Sequence, residues 1–178
     1  MIPNAKGLVL REAQEKDGPG IIALISSVLN EFGEEICLGA GGAECDLVSI
    51  QTSYFDHGNV FWVMEDLAER KIVGTHAALV DQQDSACCIL KRLYLHPDFR
   101  GTHCANALMQ IAVDWAHQHR CCRVEFWSDT RFKRAHRFFE KFGFMPTGAI
   151  RTMNDSYAPY NERHYRLDLP GTAGSNRN

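Results

Sequence analysis

The sequence predicts a mixed α/β fold, with α+β character: a sheet with helices packed on its faces. Two observations lead there. The periodic segments run strand, two helices, three strands, helix, strand, helix, two strands, which is the order of a mixed, layered domain. The length of 178 residues is also enough for one core and short for two. Hydrophobic residues make up 45% and charged residues 23%, the balance of an ordinary globular chain.

The elements follow in order. Gly7–Arg11 reads as a short strand, and Gly18–Phe32 has helical spacing through Ile21, Leu24, Ile25 and Leu29. After the glycine-rich Gly39–Gly42, a short helix is expected near Asp46–Tyr54. Strands are expected at Val60–Glu65, Lys71–Val80 and Ala86–Leu95, the last two joined by the polar turn Asp81–Ser85. Pro97 stops the third. A helix then opens after Arg100–Gly101, with Cys104, Leu108, Ile111, Ala112 and Trp115 on one face. Val124–Trp127 is the next strand, and Arg131–Phe142 a helix ending at Gly143, a left-handed cap. Two strands close the domain, around Phe144–Met153 and Arg163–Leu169. The reading is a single domain over residues 7–169, with a disordered tail from 170 to 178.

Composition excludes several function classes. The formal net charge of −3 gives no global footprint for nucleic acid. The apolar runs fall far short of the ~20 residues of a membrane span, and Met1–Lys6 carries no apolar signal core. A cytoplasmic location is the expectation. The seven cysteines include no C-x-x-C pair, so they read as reduced thiols acting as small hydrophobes. The eight histidines form no H-E-x-x-H or Cys/His cluster, and no metal site is expected.

The most informative stretch is Leu93–Leu108, a strand running into a turn of small residues and then a helix. Such a turn leaves backbone N–H groups pointing outward at the positive end of a helix dipole, which suits phosphate. Arg100 adds a fixed charge, while Gly101 and Ala105 let the backbone approach a ligand closely. Without a ligand, the same residues would make a strand–turn–helix capped by Thr102.

Arg100–Ala105 resembles the acetyl-CoA signature R/Q-x-x-G-x-G/A of the GNAT N-acetyltransferases. Arg134–Phe144 resembles the family's A-x-x-L/F-Y-x-x-x-G-F helix. The likeness covers roughly residues 7 to 169, and two motifs in register are more specific than either alone. It implies a central mixed, twisted sheet of about seven strands flanked by about four helices, splayed between the fourth and fifth strands. It further implies acetyl-CoA as co-substrate and an amine of a small molecule or peptide as acceptor. Nucleic acid and membrane are not expected partners; a second copy of the chain is a candidate one. Leu93, Tyr94 and Leu95 would pair with pantetheine through their backbone edge. Arg100, Gly101, Thr102, His103, Cys104 and Ala105 would cradle the pyrophosphate, with Arg134 and Phe139 on the facing helix.

The sequence departs from that pattern in three places. His103 stands where the middle glycine is usual; its ring could turn away, donate to a phosphate or narrow the cradle. Ile89 occupies the position of a frequent general-base glutamate, and Phe139 that of the tyrosine that commonly protonates the leaving thiolate. The frequent asparagine near the start of this helix is missing too, Phe132 being the nearest match. A thiol of pKa near ~8.5 leaves tolerably without full protonation, and an α-amine near ~8 has a usable neutral fraction. Direct attack can therefore rest on positioning and on backbone donors.

Substitute proton carriers are His76, Tyr94, Glu125 and Asp129, each of which also has an ordinary structural reading. Glu31, Tyr157 and Tyr160 are candidates for the acceptor side, as is the mobile glycine-rich loop. Arg131, Lys133, Arg134, Arg137 and Lys141 suit either the 3′-phosphate of CoA or a solvated helix face. Cys104, within the cradle, is expected to be buried rather than to carry an acyl group.

Overall fold

Val60–Met64 is an unbroken apolar run, the pattern of a strand covered on both faces, and all five residues are buried in β2 (Val60–Asp66). In the computed structural model, which describes residues 7–170, β2 lies between β1 (Leu8–Glu12) and β3 (Lys71–Val80), antiparallel to both. Then come β4 (Cys87–Leu95), β5 (Arg123–Asp129), β6 (Met145–Met153) and β7 (Tyr160–Asp168). The sheet order is β1-β2-β3-β4-β5-β7-β6, and β4–β5 is its parallel step. Among the described residues four α-helices flank it: α1 (Gly18–Asn30), α2 (Ile50–Ser53), α3 (Cys104–Gln118) and α4 (Lys133–Phe142).

The expected order of elements is the observed one, with shifts at the ends. Short 3₁₀ turns at Cys45–Leu47 and Phe55–His57 bracket α2. β5 runs to Asp129 and β7 begins at Tyr160, because these polar ends are held by pairing with each other, from Arg123↔Asp168 to Asp129↔Glu162. Backbone ladders accept polar residues where one face is wet. The tail beyond residue 170 lies outside the described residues.

Two cores form. On one face α1 sets Ile21, Leu24, Ile25, Val28 and Leu29 against Phe61, Val63, Ile72 and Ala77. On the other, α3 and α4 cover Trp62, Ala78, Cys88, Leu90, Val124 and Phe126. Gly74 brings α3 close to the sheet. A Cβ built there would stand 2.9 Å from Leu108 Cδ1 and 3.2 Å from both Leu95 Cδ1 and Met64 Cβ.

His76 lies under α3, 1% exposed. Its Nδ1 is 2.9 Å from the Leu108 carbonyl oxygen. A carbonyl only accepts, so Nδ1 carries the proton. Burial pushes the imidazole pKa down to about 4, against a smaller upward pull from that carbonyl. The outer strand β6 is exposed along nearly its whole length, including Met145 (69%) and Ile150 (61%). Its pairing with β7 slips between Pro146 and Ile150, around Gly148 at φ +87°.

Two outcomes follow from this packing. Gly74→Val should lower stability in urea melts by about 1–3 kcal/mol through overpacking. His76 is neutral when folded, whereas the unfolded chain binds its proton near pH 6.5. Its stabilising effect is therefore complete above about pH 6.5 and is lost as pH falls toward 4, at about 1.4 kcal/mol per unit. Melts between pH 7 and 4.5 should show that slope, and His76→Gln should flatten it.

Candidate cofactor and acceptor site

The hydrogen bonding between β4 and β5 stops early. Cys87, Cys88 and Ile89 pair with Arg123, Val124 and Glu125. Beyond them β4 continues with β3 to Leu95, while β5 continues with β7 to Asp129. Between Leu90–Leu95 and Phe126–Asp129 the sheet therefore opens into a wedge whose backbone edges need another partner.

The open edge of β4 is shaped by a bulge. Ala77 pairs with Lys91 and Thr75 with Tyr94, so two steps on β3 face three on β4. Arg92 takes the extra place at φ +61°, and its carbonyl accepts from Thr75 Oγ1 at 2.8 Å. A bulge of this kind bends the strand and re-aims its side chains. Leu93 and Leu95 pack toward α3, whereas Tyr94 packs toward α1.

At the outer end of β4, Gly101 adopts φ +81°, a conformation natural to glycine. A Cβ there would lie 3.5 Å from Arg134 Nη2, so α4 reaches across to this turn. Thr102 Oγ1 accepts from the Cys104 N–H at 3.2 Å. The N–H groups of Gly101, Thr102 and His103 have no acceptor among the described residues. His103 is the N-cap of the fifteen-residue α3, makes no side-chain cap bond and is exposed. The turn thus offers free donors at a helix dipole, with the His103 ring reaching solvent. That arrangement fits a pyrophosphate. Cys104 is buried, 6% exposed.

Over the wedge lies the long α1–α2 loop. Arg92 fastens it: the guanidinium bonds Asp46 (2.5 Å from Nη2, 3.1 Å from Nε) and the Ala43 carbonyl, with Glu44 at 3.5 Å. Tyr54 donates its hydroxyl to the same Asp46 carboxylate. Burial pushes the Asp46 carboxyl pKa up, but the Arg92 charge and hydrogen bonds outweigh it and hold the group below the usual range. Glu44, 5% exposed, goes the other way: burial raises it despite the Cys37 N–H at 2.9 Å and Arg92. The loop also reaches the far side of the wedge. Glu34 bonds Arg131 and accepts from Ser156 Oγ at 3.3 Å, Ala43 N–H donates to the Asp155 carbonyl at 2.8 Å, and Phe32 meets Phe132 at 4.6 Å between centroids.

These contacts sort the expected site residues. Leu93, Tyr94, Leu95, Arg100–Ala105 and Arg134 gather along one side of the wedge and its outer end, and Glu125 stands at its apex. Several others have different surroundings. His76 is sealed beneath α3 and reaches no acceptor. Asp129 is spent on Arg131, whose Nε lies 3.0 Å from both its oxygens, which also sets Arg131, just before α4, apart from the cations on that helix. Phe139 is a core residue, 6% exposed, 4.6 Å from Phe126 between centroids. Glu31 holds Arg100 with two bonds, 2.6 and 2.7 Å; its carboxyl pKa is lowered by that partner. Tyr157 stands 71% exposed on its loop. Tyr160 donates to Asp155 Oδ1 at 3.0 Å, and burial drives its phenol pKa well above the usual value. Burial likewise raises Tyr94.

Sequence reading missed Arg92, Glu44, Asp46 and Tyr54. One signal was available: Lys91-Arg92 interrupts the otherwise continuous apolar run of β4.

The comparisons bear on the family and the fold. The profile of the Acetyltransferase (GNAT) family matches residues 29–144, well over half of the chain. An uncharacterized N-acetyltransferase, YjgM of Escherichia coli (strain K12), is 28% identical over 137 residues, 76% of this chain and 81% of that protein. A GNAT-family acetyltransferase structure from Staphylococcus aureus superposes with a TM-score of 0.74 at 20% identity, covering 92% of this chain and 99% of that one. A GNAT superfamily phosphinothricin acetyltransferase from Sinorhizobium meliloti, in complex with acetyl-CoA, gives a TM-score of 0.71 at 15% identity, covering 94% and 91%. The fold is thus shared with solved acetyltransferases, and the chain belongs to the GNAT acetyltransferase family.

Proposed function

We propose that this protein transfers the acetyl group of acetyl-CoA to a primary amine of a small molecule or peptide, with both substrates bound together. The observation that carries the reading is the wedge between β4 and β5, opening directly onto the donor-rich turn before α3. The S. meliloti neighbour, of similar fold, was solved with acetyl-CoA.

Each part of the site has a task in this reading. The free N–H groups of Gly101–His103 and the start of α3 bind pyrophosphate oxygens. Arg134 supplies charge across the turn, and the exposed Lys133, Arg137 and Lys141 continue it along α4. The backbone of Leu93–Leu95 pairs with pantetheine as an added strand would, whatever the side chains. Acetyl-CoA brings the activated acyl group as a thioester. The protein's work is to hold an uncharged amine beside it and exclude competing water. No helix among the described residues is long and apolar enough to cross a membrane; a cytoplasmic setting, where seven thiols stay reduced, completes the proposal.

A second reading has its own support. Ile89 and Phe139 lack the proton-handling groups expected at those places, and Phe139 is enclosed in the core. The same cradle would serve a protein that binds acyl-CoA without transferring the acyl group.

Release of CoA thiol across a panel of amines separates the two, with acetyl-CoA affinity read in parallel by calorimetry. Transfer predicts saturable binding and amine-dependent release; binding without such release leaves the second reading, and no binding removes both. Gly101→Val, which strains a φ of +81°, should weaken acetyl-CoA binding about tenfold or more while the melting temperature stays close to that of the parent.

A further inference from the structure

Ile89 and Glu125 are the last registered pair before β4 and β5 part. Their neighbours fix which way they point. Cys88 and Leu90 on β4, and Val124 and Phe126 on β5, all enter the core beneath α3 and α4. Side chains alternate along a strand, so Ile89 and Glu125 emerge together on the opposite face, the one that α1 and its loop occupy. Side chains at registered positions of adjacent strands are near neighbours. At the apex of the wedge there is thus one isoleucine and, one strand over, one carboxylate.

The surroundings of Glu125 fix its carboxylate in place on one side. Oε1 is anchored by Arg123 Nε at 2.9 Å and faces Arg166 Nη1 at 3.6 Å. Among the described residues Oε2 has one polar neighbour, His164 Nε2 at 3.6 Å, beyond a good hydrogen bond. One oxygen is therefore held and the other left available. The Glu125 side chain is itself 18% exposed, and beside it Ile89 and Lys91 line a hollow of about 320 Å³ that runs toward the β3–β4 turn. Other carboxylates near the wedge are committed elsewhere, Asp129 to Arg131, Asp46 to Arg92 and Tyr54, and Glu44 to the Cys37 N–H.

We propose that Glu125 is the carboxylate that removes a proton from the acceptor amine, supplied from β5 at the level where β4 offers only Ile89. This rests on the acetyl-transfer reading above. The amine arrives as an ammonium and gives one proton to Glu125 Oε2. The neutral nitrogen then bonds to the acetyl carbon, and the carbon–sulfur bond breaks with its electron pair going to sulfur. The second proton of that nitrogen neutralises the sulfur, leaving amide and thiol. Glu125 then returns its proton to solvent, with the His164 ring standing 3.6 Å from Oε2. His164 Nδ1 in turn lies 3.1 Å from Thr147 Oγ1.

The test compares parent, Glu125→Gln, Glu125→Asp and the double change Glu125→Gln/Ile89→Glu, which moves the carboxylate onto the neighbouring strand. With an amine that the parent acetylates, Glu125→Gln should lower kcat by about 10²–10⁴-fold. The acetyl-CoA Kd by calorimetry should stay within about twofold. Glu125→Asp should fall between, and the double variant should regain about tenfold or more of the lost kcat. If Glu125→Gln does not fold, the aspartate and double variants decide by the same criteria. Full activity in Glu125→Gln, or a loss matched by a fall in melting temperature and not restored from β4, overturns the proposal while leaving acetyl transfer standing. A parent that releases no CoA with any amine overturns both.

Discussion

The structure depends on a hydrogen-bond ladder that stops. β4 and β5 share three registered pairs and then follow different partners. For β5 the alternative is complete, since all seven of its residues pair with β7. For β4 the bulge at Arg92 adds local twist and turns its edge away. A parted parallel pair leaves peptide groups that water or a ligand must satisfy. Fold and binding site therefore follow from one choice of partners. A chain that zipped β4 to β5 fully would have a more regular sheet and no place for a cofactor arm.

The second constraint is electrostatic. Arg92 is 8% exposed in its side chain, with Asp46 at 16% and Glu44 at 7%. Burying such charges is expensive, and good geometry is needed to offset it. Here the cluster joins an extended loop to the one residue of β4 in the left-handed region. The gain lies in position more than stability, because the loop closes over the wedge from a fixed anchor. The bonds of Glu34 to Arg131 and of Ala43 to Asp155 then complete the span across the mouth. Asp46 and Glu44 lie close together, yet their acidities move in opposite directions, because Asp46 shares two close bonds with Arg92 and Glu44 is mainly desolvated.

Much of this was legible in the sequence because it rests on local chemistry. Apolar runs gave β2 and β3, three- and four-residue spacing gave α1 and α3, and Gly143 marked the end of α4. The cradle was legible for the same reason: glycine, small residues and a helix start are neighbours in the chain. The proton carriers were not. Whether a histidine such as His76 faces a substrate or the underside of α3 depends on the bulge and on which face of β3 the helix covers. Glu31 and Arg100 are 69 positions apart, and no periodicity announces such a pairing. Glu125 could be named as a candidate, but its place beside Ile89 is a matter of strand register, which only the assembled sheet supplies.

The outer strand β6 has a bearing on how copies of this chain tolerate crowding. An edge strand is an open template to which another chain can add. Pro146 has no N–H to offer, and the irregular pairing around Gly148 breaks the flat row of donors and acceptors that a joining strand would need. Met145 and Ile150 are left in water, and they sit on a kinked rim rather than a straight one. The sheet therefore ends by interrupting its own pattern: apolar side chains can meet a neighbour there, but backbone cannot readily zip onto backbone and carry the sheet into a fibre.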